Sequence, residues 1–319
     1  MALVPYVVAY VGLAVFVVAV IARFIMWSKL PMHLRWELYP VAHEAKKAAY
    51  GGSYLEESKW WTKPREKSMM GELKVMVPEI MFLEALKENN PKMWARSFPF
   101  HFGIYLVIAS TVLMMVNGVG TALLPSLSEG SLGSMVRYGV LMFGVVGLAL
   151  GVIGAVGLIH RRRVVPELKY FSVPADFFNL GFFVVAFGWA FLSYLFIPGY
   201  FTKLSAFISN MVTFEPLTAT AGLGSEPILL AVSVVLMSLL VAYIPLTHMS
   251  HFVGKYFAYH AIRWADEPNP PGGDQEAEIM KMLQQKVTWA APHIQGGGTK
   301  TWVDLATQLP AEWKEEKKK

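Results

Sequence analysis

The sequence predicts an all-α membrane protein with five transmembrane helices. Its composition is the first indication, because 55% of the 319 residues are hydrophobic and only 16% are charged, whereas soluble domains carry roughly a quarter charged residues. The second is the recurrence of apolar segments of about 20 residues, the length that crosses a hydrocarbon core. The third is the placement of the cationic residues on one side of these segments. The net charge is +5, but the chain lacks the dense basic runs beside aromatic residues that nucleic-acid binders use. No nucleic-acid partner is therefore expected.

The predicted spans are read as helices, since helices satisfy their own backbone hydrogen bonds in lipid. In chain order they are Leu3–Trp27, Phe98–Gly118, Ser134–His160, Phe177–Ile197 and Pro227–Phe252. The first lacks a basic leader and a small-residue cleavage site, so it is interpreted as a retained span. The expected organisation is a first transmembrane helix (1–27), a cytoplasmic docking loop (28–97), a four-helix membrane region (98–264) and a cytoplasmic tail (265–319).

The cationic residues predict the orientation of these spans. Those next to the spans on one side are Lys29, Arg35, Lys92, Arg96, Arg161, Arg162, Arg163, Lys169, Lys255 and Arg263. Only Arg137 and Lys203 lie toward the other side. Cytoplasmic connections carry the excess of lysine and arginine. The N-terminus is therefore expected outside and the C-terminus in the cytoplasm.

The polar insertion Ser28–Ser97 is rich in charge and in aromatic residues. It is either a solvated loop or a surface that docks a partner, and its aromatic content favours docking. Within it, Glu72–Leu86 has apolar residues at roughly helical spacing, and this segment is expected to lie flat on the membrane or on a partner. After Arg263 the composition EPNPPGGDQE is typical of a linker that leads into a polar tail.

Four glycines of the third span fall on one helix face. They are Gly144, Gly147, Gly151 and Gly154. Such a face lets another helix, or a flat macrocycle, approach closely, and helix packing is the favoured interpretation.

Two histidines are predicted at matching depth in antiparallel helices. His101 lies about 7 Å past Arg96, and His251 lies about 6 Å before Lys255, at 1.5 Å per residue. This arrangement is the one needed to hold a haem iron from both sides. Alternative roles are hydrogen bonding to a neighbour, proton sensing or coordination of another metal. His248 lies one turn from His251 on the same predicted helix face, so spacing alone does not decide which of the two is the ligand.

The remaining histidines carry weaker indications. His160 lies at a membrane boundary, either facing lipid headgroups or handling protons. His33, His43, His260 and His293 are read as surface or interface residues. The chain has no cysteine, so it cannot itself ligate an iron–sulfur cluster.

Several motifs resemble a known family of membrane cytochromes. SFPFHFGIYL at the start of the second span and IPLTHMSHF at the end of the fifth are similar to the gamma subunit of respiratory nitrate reductase. HLRWELYP, YGGSY and KWWTKPRE in the polar insertion look closer to the membrane subunits of heterodisulfide-reductase-type complexes and of transmembrane redox complexes of sulfate reducers. This resemblance implies a cytochrome b in the cytoplasmic membrane of a prokaryote.

The resemblance also implies a ligand set for haem b. His101 and His251 match the cytoplasm-proximal ligands. The distal positions fall on Thr111 and Ser233, which are not normal haem ligands, so one haem is expected. A second haem would need His248 or His160. His248 stands where the family has an arginine, and Arg161–Arg163 are candidates to pair with haem propionates, although topology explains them as well.

The function implied is a membrane subunit of a quinone/quinol oxidoreductase complex. Electrons would pass between quinol and a cytoplasmic iron–sulfur subunit of heterodisulfide-reductase type through the haem. With no distal haem, the simpler hypothesis places the quinone on the cytoplasmic half of the membrane. The alternative from another class is a non-catalytic anchor for a soluble redox enzyme. A small-solute transporter is disfavoured by the absence of an evident repeat.

Overall fold

The computed structural model describes residues 3–30, 40–128, 130–214, 228–291, 294 and 296–307. The α-helices among them are α1 Val4–Ser28, α2 Ala45–Ala48, α3 Met69–Phe82, α4 Glu84–Asn89, α5 Pro91–Leu123, α6 Gly130–Val164, α7 Pro166–Phe171, α8 Pro174–Phe196, α9 Tyr200–Val212, α10 Ile228–Tyr243, α11 His251–Phe257, α12 Asp274–Leu283 and α13 Trp302–Thr307. The described residues form isolated β-bridges but no strand. His33, Arg35, Pro227 and His293 lie outside the described residues.

Five helical segments are long and apolar enough to cross a membrane, which confirms the predicted number in the described part of the chain. They are α1, α5, α6, α8 and Ile228–Leu246. The helices extend beyond the apolar stretches; α5 begins at Pro91, where a missing N–H costs nothing. The Asn90 side chain accepts a hydrogen bond from the backbone N–H of Met93 at 3.0 Å and caps this helix.

The chain divides into two compact units. The first comprises Met1–Ala19 and Val75–Met249, and the second comprises Val20–Lys74 and Ser250–Lys319. In the first unit α5, α6, α8, α9 and α10 pack around a core that includes Met114, Phe183 and Leu230.

The glycine face of α6 is a helix-packing surface in the first unit. A Cβ atom added at Gly103 of α5 would lie 2.4 Å from the backbone nitrogen of Gly151, and one added at Gly154 would lie 2.3 Å from that of Phe100. Gly144 instead faces the ring of Phe201 on α9. The helix-packing interpretation of these glycines is thus confirmed, because backbone and ring atoms occupy the space that a side chain would fill.

Adding one methyl group at this contact should therefore destabilise the first unit. We expect Gly154→Ala to lower the free energy of unfolding by about 1–3 kcal/mol, since the neighbouring backbone cannot move away without separating the helices. Gly188→Ala in α8 is the matched control, because an added Cβ there has no atom within 4 Å. Thermal unfolding of the detergent-purified protein measures both, and equal melting temperatures would contradict the expectation.

The fifth predicted span is not one continuous helix. The helix α10 ends at Tyr243, and two 3₁₀ turns, Ile244–Leu246 and His248–Ser250, separate it from α11. The prediction of a single helix to Phe252, with His248 and His251 on one face, is wrong. Pro245 has no N–H to donate and its ring opposes helix continuation. Thr247 is extended, with φ −116° and ψ −177°.

The helix α9 is not among the predicted elements, because it is not part of any apolar span. It lies in the connection after α8 and buries Tyr200, Phe201, Phe207, Ile208 and Met211. Its ring of Phe207 stacks on Tyr6 of α1 at a centroid distance of 4.2 Å. A helix of this length is too short to be recognised as a span, but one apolar face suffices to pack it against the bundle.

The second unit has a charged core. The Nε2 atom of His43 lies 2.7 Å from Oδ2 of Asp266, and Arg65 donates to Oδ1 of the same carboxylate at 2.9 Å. The hydroxyl of Tyr54 donates to the backbone carbonyl of Asp266. His43 is 4% exposed, so its interpretation as a surface or interface residue is wrong. The carboxylate of Asp266 offsets the cost of burying the imidazole of His43.

These contacts determine the ionisation of Asp266. Burial alone would raise the pKa of this carboxyl, but hydrogen bonds from His43 and Tyr54 and the charges of His43 and Arg65 outweigh burial and hold the pKa below its ordinary value. Burial and the Asp266 charge also raise the pKa of the Tyr54 hydroxyl. Asp266 is therefore the central anion of this cluster, which contains His43, Tyr54 and Arg65.

The segment Glu72–Leu86 is helical as predicted, with one interruption. The helix α3 ends at Phe82, Leu83 has a positive φ of 53°, and α4 begins at Glu84. In the first unit, the indole N–H of Trp94 donates to the carbonyl of Phe82 at 2.7 Å. This bond links the end of α3 to the first turn of α5.

Candidate functional site

The first predicted ligand, His101, is oriented by its own helix. Its Nδ1 lies 2.8 Å from the backbone carbonyl of Ser97, one turn earlier on α5. A carbonyl oxygen only accepts, so Nδ1 carries the hydrogen and Nε2 carries the lone pair. This is how ligating imidazoles are commonly oriented, since the hydrogen bond of one nitrogen fixes the tautomer for the other.

The second predicted ligand, His251, is the first residue of α11 and is exposed. It belongs to the second unit, whereas His101 belongs to the first. Within the second unit α11 is packed closely, because a Cβ atom at Gly254 would lie 3.1 Å from the ring of Trp27. The pairing of these two histidines stays a prediction.

His248 lies in a polar cluster that brings together α6, α8 and the end of α10 in the first unit. Its Nε2 is 3.3 Å from the amide nitrogen of Asn179 and 3.9 Å from Oδ1 of Asp176. The hydroxyl of Tyr243 donates to the amide oxygen of Asn179 at 2.8 Å. Asn179 is 4% exposed, whereas the His248 side chain is 63% exposed. An exposed imidazole thus lies beside a buried amide.

Asp176 is anchored on its other oxygen. Its Oδ2 accepts from Nη1 of Arg162 and from the backbone N–H of Val173, at 3.2 Å and 3.1 Å. Arg162 also donates to the hydroxyl of Ser172 at 3.2 Å. The cationic end of α6 therefore neutralises a carboxylate in the first turn of α8, a location where negative charge is also favoured by the helix dipole.

His160 and Arg161, the other candidate contacts, lie in the last turns of α6. The side chain of His160 is exposed and that of Arg161 is half-buried. No hydrogen bond or ion pair described by the structure joins either residue to the cluster around His248.

Sequence reasoning missed Asp176, Asn179 and Tyr243. A signal for Asn179 existed, because a polar residue inside an apolar span is uncommon and marks a candidate site. Asp176 follows Pro174 at the start of a helix, where an acidic residue is ordinary, so it gave no distinctive signal. Their proximity to His248 comes only from the packing of α8 beside α10.

The two distal positions, Thr111 and Ser233, are already engaged by protein groups. The Thr111 hydroxyl donates to the carbonyl of Val107 at 2.9 Å, and the Ser233 hydroxyl lies 2.6 Å from that of Tyr200 on α9. Both positions line a mostly apolar cavity of about 260 Å³, whose wall includes Tyr200 and Phe201. Side chains of α9 thus contact the region that the distal positions face.

Comparison with known proteins agrees with this architecture. A family model described as the nitrate reductase gamma subunit matches residues 86–265, more than half of the chain. The Hdr-like menaquinol oxidoreductase cytochrome b-like subunit of Archaeoglobus profundus is 21% identical over 262 residues, which cover 79% of this chain and 76% of that protein. The matched region contains α5, α6, α8 and α10 with all the histidines of the candidate site. With five membrane-spanning helices and a family match of this extent, the chain belongs to the nitrate reductase gamma subunit family.

Proposed function

We propose that the chain is the haem b membrane subunit of a respiratory redox complex. It exchanges electrons between menaquinone or menaquinol in the membrane and an iron–sulfur partner in the cytoplasm. The observation that carries this proposal is the family match over residues 86–265, which includes His101 and His251. The similarity to the Hdr-like menaquinol oxidoreductase cytochrome b-like subunit of Archaeoglobus profundus supports the same assignment.

His101 and His251 are the proposed axial ligands of the haem. The Nδ1 atom of His101 is committed to Ser97, so its Nε2 is the atom that fits an iron. Bound haem supplies one-electron redox chemistry, while the protein supplies ligands and burial that set the potential. Arg161 remains a candidate partner for a propionate and His160 a candidate contact of the quinone.

The contacts of Thr111 and Ser233 support one haem rather than two. Neither side chain is a normal haem ligand, and the cavity they line has a volume of only about 260 Å³. Phe201 of α9 packs its ring against Gly144 of α6, the kind of small-residue site that a flat macrocycle would otherwise use. A second haem would need ligands from a different arrangement.

The partner subunit is expected to carry the next electron acceptor. The chain contains no cysteine, so its own residues cannot bind an iron–sulfur cluster. We propose that the polar insertion Ser28–Ser97 and the C-terminal tail dock this subunit in the cytoplasm. Exposed aromatic residues of the insertion, Tyr50 and Trp61, fit such a role.

The proposal is tested by haem content and by reduction with quinol. The purified complex should show a Soret band, a sharp alpha band and one haem b per chain in a pyridine haemochrome assay. A water-soluble menaquinol analogue should reduce this haem. Absence of any haem spectrum would instead identify a non-catalytic membrane anchor.

The proposed cytoplasmic-half quinone site has a separate consequence. Quinone turnover should move little charge across the membrane, because electrons and protons would enter and leave on the same side. In liposomes that contain the complex, a potential-sensitive dye should therefore record only a small signal during turnover. A robust membrane potential would contradict this location.

A further inference from the structure

We propose that His248 is the proton acceptor for quinol at the end of α10, with Asp176 and Asn179 as its positioning residues. This inference rests on the proposed function and deepens it, since it assigns the proton chemistry to particular atoms. The predicted ligand role of His101 and His251 does not use these groups.

The hydrogen bonds of Asn179 determine which nitrogen of His248 can accept a proton. The amide oxygen of Asn179 accepts from Tyr243, so its nitrogen faces Nε2 of His248. An amide nitrogen only donates, and Nε2 is therefore the lone-pair atom of the neutral imidazole. A quinol hydroxyl that replaces Asn179 as the donor meets a nitrogen that is ready to take its proton.

The carboxylate of Asp176 lies beside the imidazole of His248. Arg162 and the backbone of Val173 bind one oxygen of Asp176, while the other oxygen lies 3.9 Å from Nε2 of His248. The Asp176 side chain is 14% exposed. The carboxylate, held in place by Arg162, therefore forms an oriented polar wall beside the imidazole, as in other small-molecule sites.

Aromatic side chains lie next to the polar cluster around His248. The ring of Tyr243 contacts those of Phe178 and Phe182, with centroid distances of 5.6 Å to each. Phe178 is 58% exposed, so one wall of the site is aromatic and accessible. Apolar lining with a few oriented polar groups is typical of small-molecule sites. A flat ring with an isoprenoid chain, dissolved in the bilayer, fits this wall better than a charged solute.

Oxidation of one quinol to quinone breaks two O–H bonds and releases two protons and two electrons. The two electrons would be accepted one at a time by haem b bound at His101 and His251, which would supply the one-electron redox chemistry. Each proton passes to Nε2 of His248, and the exposed imidazole releases it to water before the next arrives. In the direction of quinone reduction the same groups deliver the protons.

The test measures the rate at which a menaquinol analogue reduces the haem of the intact complex across pH. We expect His248→Gln to slow reduction by about 10²–10⁴-fold, the usual contribution of a general base, with an unchanged haem spectrum and normal reduction by dithionite. Asp176→Asn should slow reduction by a smaller factor with an unchanged haem spectrum, since it weakens the contact of this side chain with Arg162 and so the positioning of the imidazole. His260→Gln is the matched control and should behave as the parent protein.

A readout independent of turnover completes the test. Added imidazole should restore part of the rate in His248→Ala, whose side chain is removed from an exposed position. A fluorescent hydroxyquinoline N-oxide, used as a quinone analogue, should bind the parent protein and bind Asn179→Leu more weakly.

The outcomes separate this inference from the proposed function. If menaquinol does not reduce the parent complex, the proposed function itself fails. If the parent is reduced but His248→Gln is equally fast with the same pH profile, only the role of His248 fails. Loss of the haem from His248→Gln would overturn the inference as well, because His248 would then be an iron ligand.

Discussion

Replacing either His101 or His251 by alanine should abolish the haem b spectrum of the purified complex. In the proposed site the two histidines would share the iron, and removal of one would leave a site that binds haem weakly or not at all. For His101 the effect should be strong because the hydrogen bond of Nδ1 to Ser97 fixes the ring on α5. The measurement is the Soret and alpha absorbance per mole of polypeptide, with a pyridine haemochrome assay for total haem.

His248→Ala is the control for these variants and should keep the spectrum. It removes a histidine three positions from His251 in the sequence, yet on a separate 3₁₀ turn. Full haem content in His101→Ala or His251→Ala would show that the ligand assignment is wrong. Restoration of the spectrum by added imidazole in either variant would strengthen it, since imidazole would occupy the position of the lost side chain.

The second large effect is expected from Asp266→Ala in the second unit. Asp266 is 5% exposed and binds His43 and Arg65 through its carboxylate. Its loss leaves those groups without their anionic partner, and breaking a buried ion pair in this way costs about 3–5 kcal/mol. Hydrogen–deuterium exchange should report the loss in residues 40–72, for example at the backbone N–H of Ser68, which donates to the carbonyl of His43.

The matched control for this variant is Glu267→Ala. Glu267 is the next residue and also contacts Arg65, at 3.4 Å, but its side chain is 66% exposed. Exposed ion pairs contribute about 0–1 kcal/mol, so exchange in residues 40–72 should change little. Equal exchange rates in the two variants would contradict the role of Asp266 as the central anion.

The same residue predicts an acid-sensitive second unit. Because the folded-state pKa of Asp266 lies below its ordinary value of 3.8, the stabilisation is fully present above about pH 4 and is lost as the pH falls through the folded pKa. Protection from exchange in residues 40–72, measured relative to the intrinsic exchange rate at each pH, should therefore fall in acid in the parent protein. In Asp266→Ala this contribution to the acid dependence should be absent.

The membrane spans were predictable from sequence because lipid imposes a simple condition on length and polarity. The break at Pro245 had a local signal in the proline itself. The apolar residues on both sides of it, from Ile228 to Phe252, nevertheless have the length of a single span. The helix α9 was missed for the opposite reason. Its apolar residues recur at helical spacing among polar ones, so it is too short and too polar for a span, and its apolar face packs against α1 and α5.

The candidate site was predictable only in part. His101 and His251 could be selected by depth, since the spacing from charged residues gives the position of a side chain along a helix. The environment of His248 could not, because Asp176 and Asn179 lie on another helix. The burial of His43 depends on Asp266, which is 223 positions away in the chain. No local pattern reports a pairing over that separation.

The close approach of α5 and α6 restricts the part of α5 that carries the proposed haem ligand His101. His101 lies between Phe100 and Gly103, and the backbone atoms of both residues are near glycines of α6. Such a contact leaves this turn of α5 little room to shift, because a close-packed interior resists displacement. A haem ligated here would change its coordination geometry very little between the ferric and ferrous states. The reorganisation energy of the iron would then be small, and electrons would pass rapidly even with a modest driving force.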